Sequence, residues 1–307
     1  MATVAMDRPR VRRRLSWVRM EEHIFGWLFI LPIVIGVCFF QFYPILVSMY
    51  ASLTNWTGLN DPSFIGLDNY TRLVTGDRFF RLTLRNTVYY TIGSIPLSIS
   101  LALILALLCN RAARAVYWYR TAFFAPNVTS TVAISLVWFW LYAPDVGLIN
   151  WFLSLFGIEG PAWLTSLTWA MPAVILVGVW QHVGYPMLIL LAGLQGIPES
   201  LYEAAKLDGA GAVARFRSVT LPLLTPSLFF LLITQFISSF QVFGLIYVMT
   251  QGGPANATNV YIHYLYQNAF AFGRLGYASA MAWILFALIA LITFVQWNLQ
   301  KRWVFYE

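Results

Sequence analysis

Gly196-Ile-Pro-Glu-Ser-Leu-Tyr-Glu-Ala-Ala-Lys-Leu-Asp-Gly-Ala-Gly-Ala-Val-Ala-Arg-Phe-Arg-Ser-Val-Thr-Leu-Pro222 is a short polar segment set between two long apolar ones. Pro198 ends whatever precedes it, because it has no N–H to continue a helix. Ser200, with Glu203 three residues on, predicts a capping box that opens a short helix. Leu201, Ala204, Ala205 and Leu207 give that helix a small, mildly apolar face. Gly209 is placed to end it, since glycine turns left-handed without a Cβ penalty. A second short helix carrying Val213, Phe216 and Val219 then leads to Leu221-Pro222. The expected shape is an L-shaped knob whose alanine-rich face lets another surface approach closely.

Outward from this segment, the chain is apolar. Of 307 residues, 60% are hydrophobic and 10% charged, against about half and about a quarter in a soluble domain. So little charge cannot cover a soluble surface of this size, which excludes a soluble enzyme or a disordered scaffold. The expected fold class is an all-α, polytopic membrane protein. Charge-free stretches separate candidate spans at about 25–50, 87–109, 121–142, 172–195, 223–249 and 277–299, each near the 20 helical residues that cross a bilayer core of about 30 Å. Gln251 to Asn259 is a polar breaker, and 260–272 is too short to cross. The basic, apolar start has no small-residue cleavage site and reads as an uncleaved first span. The expected divisions are a basic segment 1–23, a first span 24–53, an external loop 54–80, a five-helix core 81–300 containing the 196–222 loop, and a tail 301–307.

Six spans place both termini on one side. Fourteen lysines and arginines fall on that side, six of them Arg8, Arg10, Arg12, Arg13, Arg14 and Arg19, and five fall on the other: Arg72, Arg78, Arg81, Arg85 and Arg274. The bias predicts cytoplasmic termini. Because the basic residues lie between hydrophobic runs, the charge of +7 points to membrane topology and not to nucleic acid. Prolines 32, 44, 96, 172, 186 and 226 predict kinked, mutually packed helices. Trp138, Trp140 and Tyr142 near the end of span three suit an interfacial belt or plain lipid contact. Cys38 and Cys109 lie in apolar runs and read as packing residues, and the three histidines have no zinc spacing.

The anchors of the loop resemble a known family. Glu203-Ala204-Ala205, Gly209, Val219 and Leu221-Pro222 are similar in spacing to the EAA loop of the permease subunits of binding-protein-dependent ABC importers, with Val where Ile is usual. Arg85-Asn-Thr-Val, Gly252-Gly-Pro254 with Thr258, and Gly276-Tyr-Ala-Ser-Ala280 extend the resemblance towards the carbohydrate-uptake branch of maltose and glycerol-3-phosphate type. Val213-Ala214 departs from the Trp-Gln pair frequent in that branch.

The resemblance implies a type I (MetI-like) permease bundle in the inner or plasma membrane. It implies a second permease subunit, two cytoplasmic ATP-binding subunits and an extracytoplasmic solute-binding protein as partners, with a sugar or polyol as cargo. It also implies that Glu203, Ala204, Ala205 and Gly209 dock in a cleft of the ATPase, where the plain alternative is a well-capped connector. No catalytic residue, cofactor or metal is expected. The two lysines follow Ala205 and Gln300, so no Gly-Lys-Ser/Thr phosphate loop is present in the sequence.

Polar side chains in spans are costly and face interiors or cavities. Gln181 and Tyr185 are i, i+4, beside Gly178, and Gln235 with Ser238 and Ser239 shares a face. Gln181, Tyr185, Gln235 and Ser239 are therefore candidate path residues, with inter-helix hydrogen bonding as the plain alternative. His182 has no intramembrane carboxylate partner and reads as a hydrogen-bonded packing residue. An ion- or proton-coupled secondary transporter is the rival reading, but it would want carboxylates in the spans, and the six stretches contain none.

Overall fold

The computed structural model describes residues 17–59, 61–110 and 114–305. Arg8 to Arg14, Arg111 and the ends of the 1–23 and 301–307 segments lie outside the described residues. Among those described, regular structure is helical, with one isolated bridge between Thr54 and Phe64.

Four helices are long and apolar enough to cross a membrane: His23–Ser52, Arg78–Cys109, Thr225–Met249 and Leu275–Arg302. The other two expected spans are bent pairs. Val116–Val128 and Thr131–Leu141 meet at 99°, and Ala170–His182 and Gly184–Gly196 at 48°. The stretch expected to span at 121–142 is thus sharply bent at 129–130. Pro126 leaves the carbonyl four residues earlier without its N–H partner, and Ser130 then adopts extended backbone (ψ 127°) as it opens the next helix. In span four, Pro186 does the same to the carbonyl of His182, at the bend itself. Gly184 sits where a Cβ would collide with the backbone of Phe123 and Phe124, so the two bent spans approach closely at their elbows.

The second span is the spine. Asp77 opens it, with Oδ1 accepting from the N–H of Phe79 (2.8 Å) and Phe80 (3.0 Å). Asp77 Oδ2 accepts from the hydroxyls of Tyr264 (2.8 Å) and Tyr277 (2.5 Å), which ties the span to the short Tyr261–Tyr266 helix and to the start of span six. Val174, Val177, Ile246 and Val260 form one buried cluster, Met187, Leu190, Leu224 and Leu231 a second, and Leu73, Tyr261 and Met281 a third. The first span stands apart. Its Tyr43–Ser52 end packs against span six, while residues from 23 to 46 leave almost every side chain exposed.

Of the aromatic trio, only Trp140 is exposed (56%). Tyr142 is buried and donates to the Ala173 carbonyl at 3.3 Å, and Trp138 packs between Tyr142 and Trp180. Tyr142 is thus a core residue, and Trp138 is a partly buried one packed against the same cluster.

Candidate functional site

The knob forms as a helix over Glu199–Leu207, but its N-terminus corrects the capping-box reading. Pro198, extended at ψ 131°, is the N-cap, and no side chain caps the helix. Ser200 is already helical, so its hydroxyl cannot play the N-cap part that a capping box assigns to it. The C-terminus is as expected. Gly209 has φ +77°, its N–H reaches the Lys206 carbonyl at 3.0 Å, and the Ala210 N–H reaches that of Ala205 at 2.9 Å. This is the paired pattern of a Schellman motif.

The chain returns through Ala212–Arg215, a π-turn over Phe216–Thr220 and Leu221–Leu223. Tyr202 Oη and Thr220 Oγ1, 3.0 Å apart, join the two arms. Glu203 and Ala204 are exposed and Ala205 half-buried. Around them Leu207 (89%) and Val213 (66%) stand in the open.

A cavity of about 370 Å³ lies where the broken helices meet. Span two brings Tyr90, Ser94 and Ser98. The elbow of span three brings Asn127 and Thr131, and that of span four His182 and Tyr185. Span five brings Gln235, Ser238, Ser239 and Gln241 at its own break before Gly244. Gly178 leaves room there for the Tyr90 hydroxyl. Among the described residues, no Asp, Glu, Lys or Arg lines this cavity.

Three of the four expected path residues line it, and Gln181 does not. The bend at Val183 breaks the i, i+4 register: Tyr185 is 40% exposed, whereas Gln181 is buried at 1%. Gln181 Nε2 donates to Thr131 Oγ1 at 3.1 Å and holds the two elbows together. Ser239 Oγ donates to Thr91 Oγ1 (3.1 Å), leaving little of it open. Gln235 Nε2 is buried with no hydrogen-bond partner among the described residues. His182 does have its hydrogen bond, Nδ1 lying 3.2 Å from Asn127 Oδ1, but the ring is exposed to the cavity instead of packed away. Sequence reasoning passed over Asn127, Ser94 and Ser98. The signal for Asn127 was a side-chain amide between Pro126 and the Thr-Ser pair that ends the helix.

A larger cavity of about 510 Å³ is walled by Leu97, Leu101, Phe123, Trp138, Leu176 and Trp180 among others. It offers almost no hydrogen-bonding groups and is a poor seat for a polar solute. Among the described residues, no group of three His, Cys, Asp or Glu side chains could hold a metal ion.

The sequence matches the model of the family described as binding-protein-dependent transport system inner membrane component over residues 94–304. It is 39% identical over 291 residues to the probable ABC transporter permease protein YesP of Bacillus subtilis (strain 168), covering 94% of each chain. It is 36% identical to the sulfoquinovosyl glycerol transport system permease protein SmoG of Agrobacterium fabrum, covering 95% of each. It is 37% identical to the lactose transport system permease protein LacF of Rhizobium radiobacter, covering 88% of this chain and 92% of that one. The fold is similar to a chain in the crystal structure of a bacterial alginate ABC transporter in complex with alginate pentasaccharide-bound periplasmic protein. That match has a TM-score of 0.82 at 22% identity and covers 94% of this chain and 97% of the other.

Proposed function

The chain belongs to the family of binding-protein-dependent transport system inner membrane components, and from that premise we propose that it forms one half of the path of an ATP-driven importer for a neutral sugar, oligosaccharide or polyol. A second permease subunit closes the path against the cavity side. Two ATP-binding subunits dock on the 196–222 knobs, and an extracytoplasmic solute-binding protein delivers cargo to the opposite mouth. Both termini face the cytoplasm.

The uncharged, amide- and hydroxyl-rich cavity carries this reading. A charged solute would need a counter-charge in such a site, because burying a bare charge is expensive. Tyr185, Gln235 and Ser239, with Asn127 and Ser94, offer hydrogen bonds to hydroxyl groups. Gln181 supports the wall through Thr131 without touching cargo. The relative named for lactose agrees with a neutral glycosidic cargo. Glu203, Ala204, Ala205 and Gly209 make the knob's contact surface, small enough at the alanines for a cleft wall to close on it. ATP is hydrolysed in the partner chains, and the knob passes their movement to the elbows that surround the cavity. Nothing favours ion coupling, which would want a carboxylate in the path.

Uptake by the complete complex in proteoliposomes, with labelled neutral sugars competing against phosphorylated sugars and amino acids, tests the cargo class. Best competition by a charged solute would overturn it.

A further inference from the structure

Arg78, Arg81 and Arg85 follow one another at helical spacing down the first turns of span two, and all three are exposed. Val88 (38%), Tyr89 (52%) and Ile92 (67%) continue the same stripe. The other side of this helix is buried through Thr83, Thr87 and Ser94, and Ser94 lines the polar cavity. Ser94 comes about two and a half turns after Arg85, which puts the two on opposite faces. The arginines thus stand on the back of the molecule, away from the cavity. Arg78 and Arg85 have no hydrogen-bond or ion-pair partner among the described residues, and Arg81 reaches only the Thr75 carbonyl at 3.4 Å. The adjacent carboxylate, Asp77, is occupied by two backbone N–H groups and two tyrosine hydroxyls.

The helix Arg78–Cys109 has 32 residues, about 48 Å of rise, against about 30 Å of hydrocarbon. Counting about twenty residues back from Cys109 brings the hydrocarbon boundary close to Tyr89. Arg85 then sits among the lipid headgroups, with Arg81 and Arg78 one and two turns higher. Arginine stems can lie along the apolar stripe below while their guanidinium heads stay at the polar level.

We propose that Arg81 and Arg85, aided by Arg78, hold the phosphate of an anionic phospholipid in the leaflet remote from the 196–222 knob, with its acyl chain lying along Val88 and Ile92. A guanidinium meets a phosphate with two parallel N–H donors, and a stripe of three arginines with no carboxylate partner among the described residues, continuous with a lipid-facing apolar stripe, matches a headgroup and its tail. In the proposed assembly the second permease subunit engages the cavity side and the binding protein the mouth, which leaves this face to lipid. The assignment of the two faces rests on the cavity reading above.

The test is native mass spectrometry of the purified complex, delipidated and then titrated with phosphatidylglycerol or phosphatidylcholine, which reads lipid retention independently of cargo. The wild type is expected to prefer phosphatidylglycerol. The Arg81→Gln/Arg85→Gln variant is expected to lose about thirtyfold in that preference, from the usual gain per basic residue at an anionic surface. Arg85→Lys, which keeps the charge and loses the fork, should fall between. Arg72→Gln/Arg274→Gln removes equal charge on the same side but off the stripe, and should retain the preference. Equal retention of both lipids by the wild type, or an equal loss in the control variant, overturns the proposal. So does an unchanged lipid preference in the stripe variant accompanied by weaker capture of the solute-binding protein, because the surface would then belong to a protein partner.

Discussion

Asn86, in the second span, donates its side-chain amide to the main-chain carbonyl of Asn256 at 2.9 Å, across 170 positions of sequence. The same nitrogen reaches the Asn259 carbonyl at 2.9 Å, and next to it Thr87 Oγ1 accepts from the Tyr261 N–H at 2.9 Å. Together these bonds pin the 251–259 turn to the helix that lines the cavity. The turn needs pinning, because Gln251, Ala255 and Asn256 all adopt positive φ, which non-glycine residues rarely do unless their surroundings hold them there. Thr258 adds an internal brace, donating to the Gly253 carbonyl at 2.6 Å.

Replacing Asn86 with Leu should therefore destabilise the protein by about 2 kcal/mol, the scale for burying acceptors without partners. It should also loosen the 251–259 turn. Thermal unfolding of the detergent-purified chain gives the first quantity, and limited proteolysis within the turn the second. An unchanged melting temperature with unchanged cleavage would show that the clamp is dispensable.

Asp77 should make the end of the bundle remote from the 196–222 knob pH-dependent. Burial pushes its carboxyl upwards, but the Tyr277 hydroxyl, the Phe80 N–H, the Tyr264 hydroxyl and the Phe79 N–H outweigh it and hold the group below the usual carboxylate value. A lowered folded value means that the contribution is complete above the unfolded value of about 4 and is lost as pH falls through the folded one. Asp77→Ala should cost about 1 kcal/mol at pH 7, the usual scale for an N-cap. The gap between variant and wild type should narrow below about pH 4. A gap that stays constant from neutral to acid pH would contradict this account.

These two ties show what the sequence hid. Length, the charge-free stretches and the anchors from Glu203 to Pro222 were enough to find the four long apolar helices, the two stretches that form bent pairs and the knob, because each rests on local composition or short spacing. The contacts of Asn86 depend on which helix lies beside which, and periodicity within one segment carries no such information. The elbow at Thr129-Ser130 was missed because Pro126 sits in an otherwise apolar run and proline is tolerated in membrane helices. The pairing of Gln181 with Tyr185 failed for a related reason: i, i+4 geometry holds only in an unbroken helix, and Pro186 bends this one between them. Ser200 looked like an N-cap, but Pro198 had already started the helix.

Gly209 at φ +77° has no heavy atom near the position of a Cβ, so a substitution there is felt through backbone conformation alone. Gly209→Val should strain the turn by about 1–2 kcal/mol and uncouple uptake from ATP hydrolysis, whereas Gly209→Asn, which tolerates the left-handed region, should keep most activity. Glu203 is exposed and has no partner among the described residues. Glu203→Lys should therefore leave the melting temperature alone and still impair uptake through the ATPase contact. The chain by itself should show no ATPase activity. Normal uptake by both Gly209→Val and Glu203→Lys at normal expression would remove the docking role.

Orientation is readable at two open positions. Leu59 is 99% exposed in the 54–77 loop and Leu207 89% exposed on the knob. In a Cys38→Ser/Cys109→Ala background, cysteine at 59 should react with an impermeant maleimide in intact cells, and cysteine at 207 only after lysis. Reporter fusions after 155 should read as external, and those after 115 and 305 as cytoplasmic. Labelling of 207 in intact cells would invert the topology.

Cargo contact is separable from packing at the cavity. Gln235 has a buried donor with no partner, and Tyr185 presents a half-open ring at the elbow of span four. A pyranose offers hydroxyls to the amide and an apolar face to the ring. Each hydrogen bond to a neutral hydroxyl contributes about 1 kcal/mol net, so Gln235→Leu should weaken apparent cargo affinity about fivefold. Tyr185→Ala should weaken it further, while Tyr185→Phe keeps the ring and should stay close to wild type. Ser239 Oγ lies within hydrogen-bond reach of both Thr91 Oγ1 (3.1 Å) and the Phe236 carbonyl (3.0 Å), so Ser239→Val should lower thermal stability as well as uptake. The measurement is concentration-dependent uptake in proteoliposomes, paired with melting temperatures of the same preparations. If Gln235→Leu and Tyr185→Ala both transport with wild-type affinity, the cavity is inter-helix packing and cargo crosses along the other subunit.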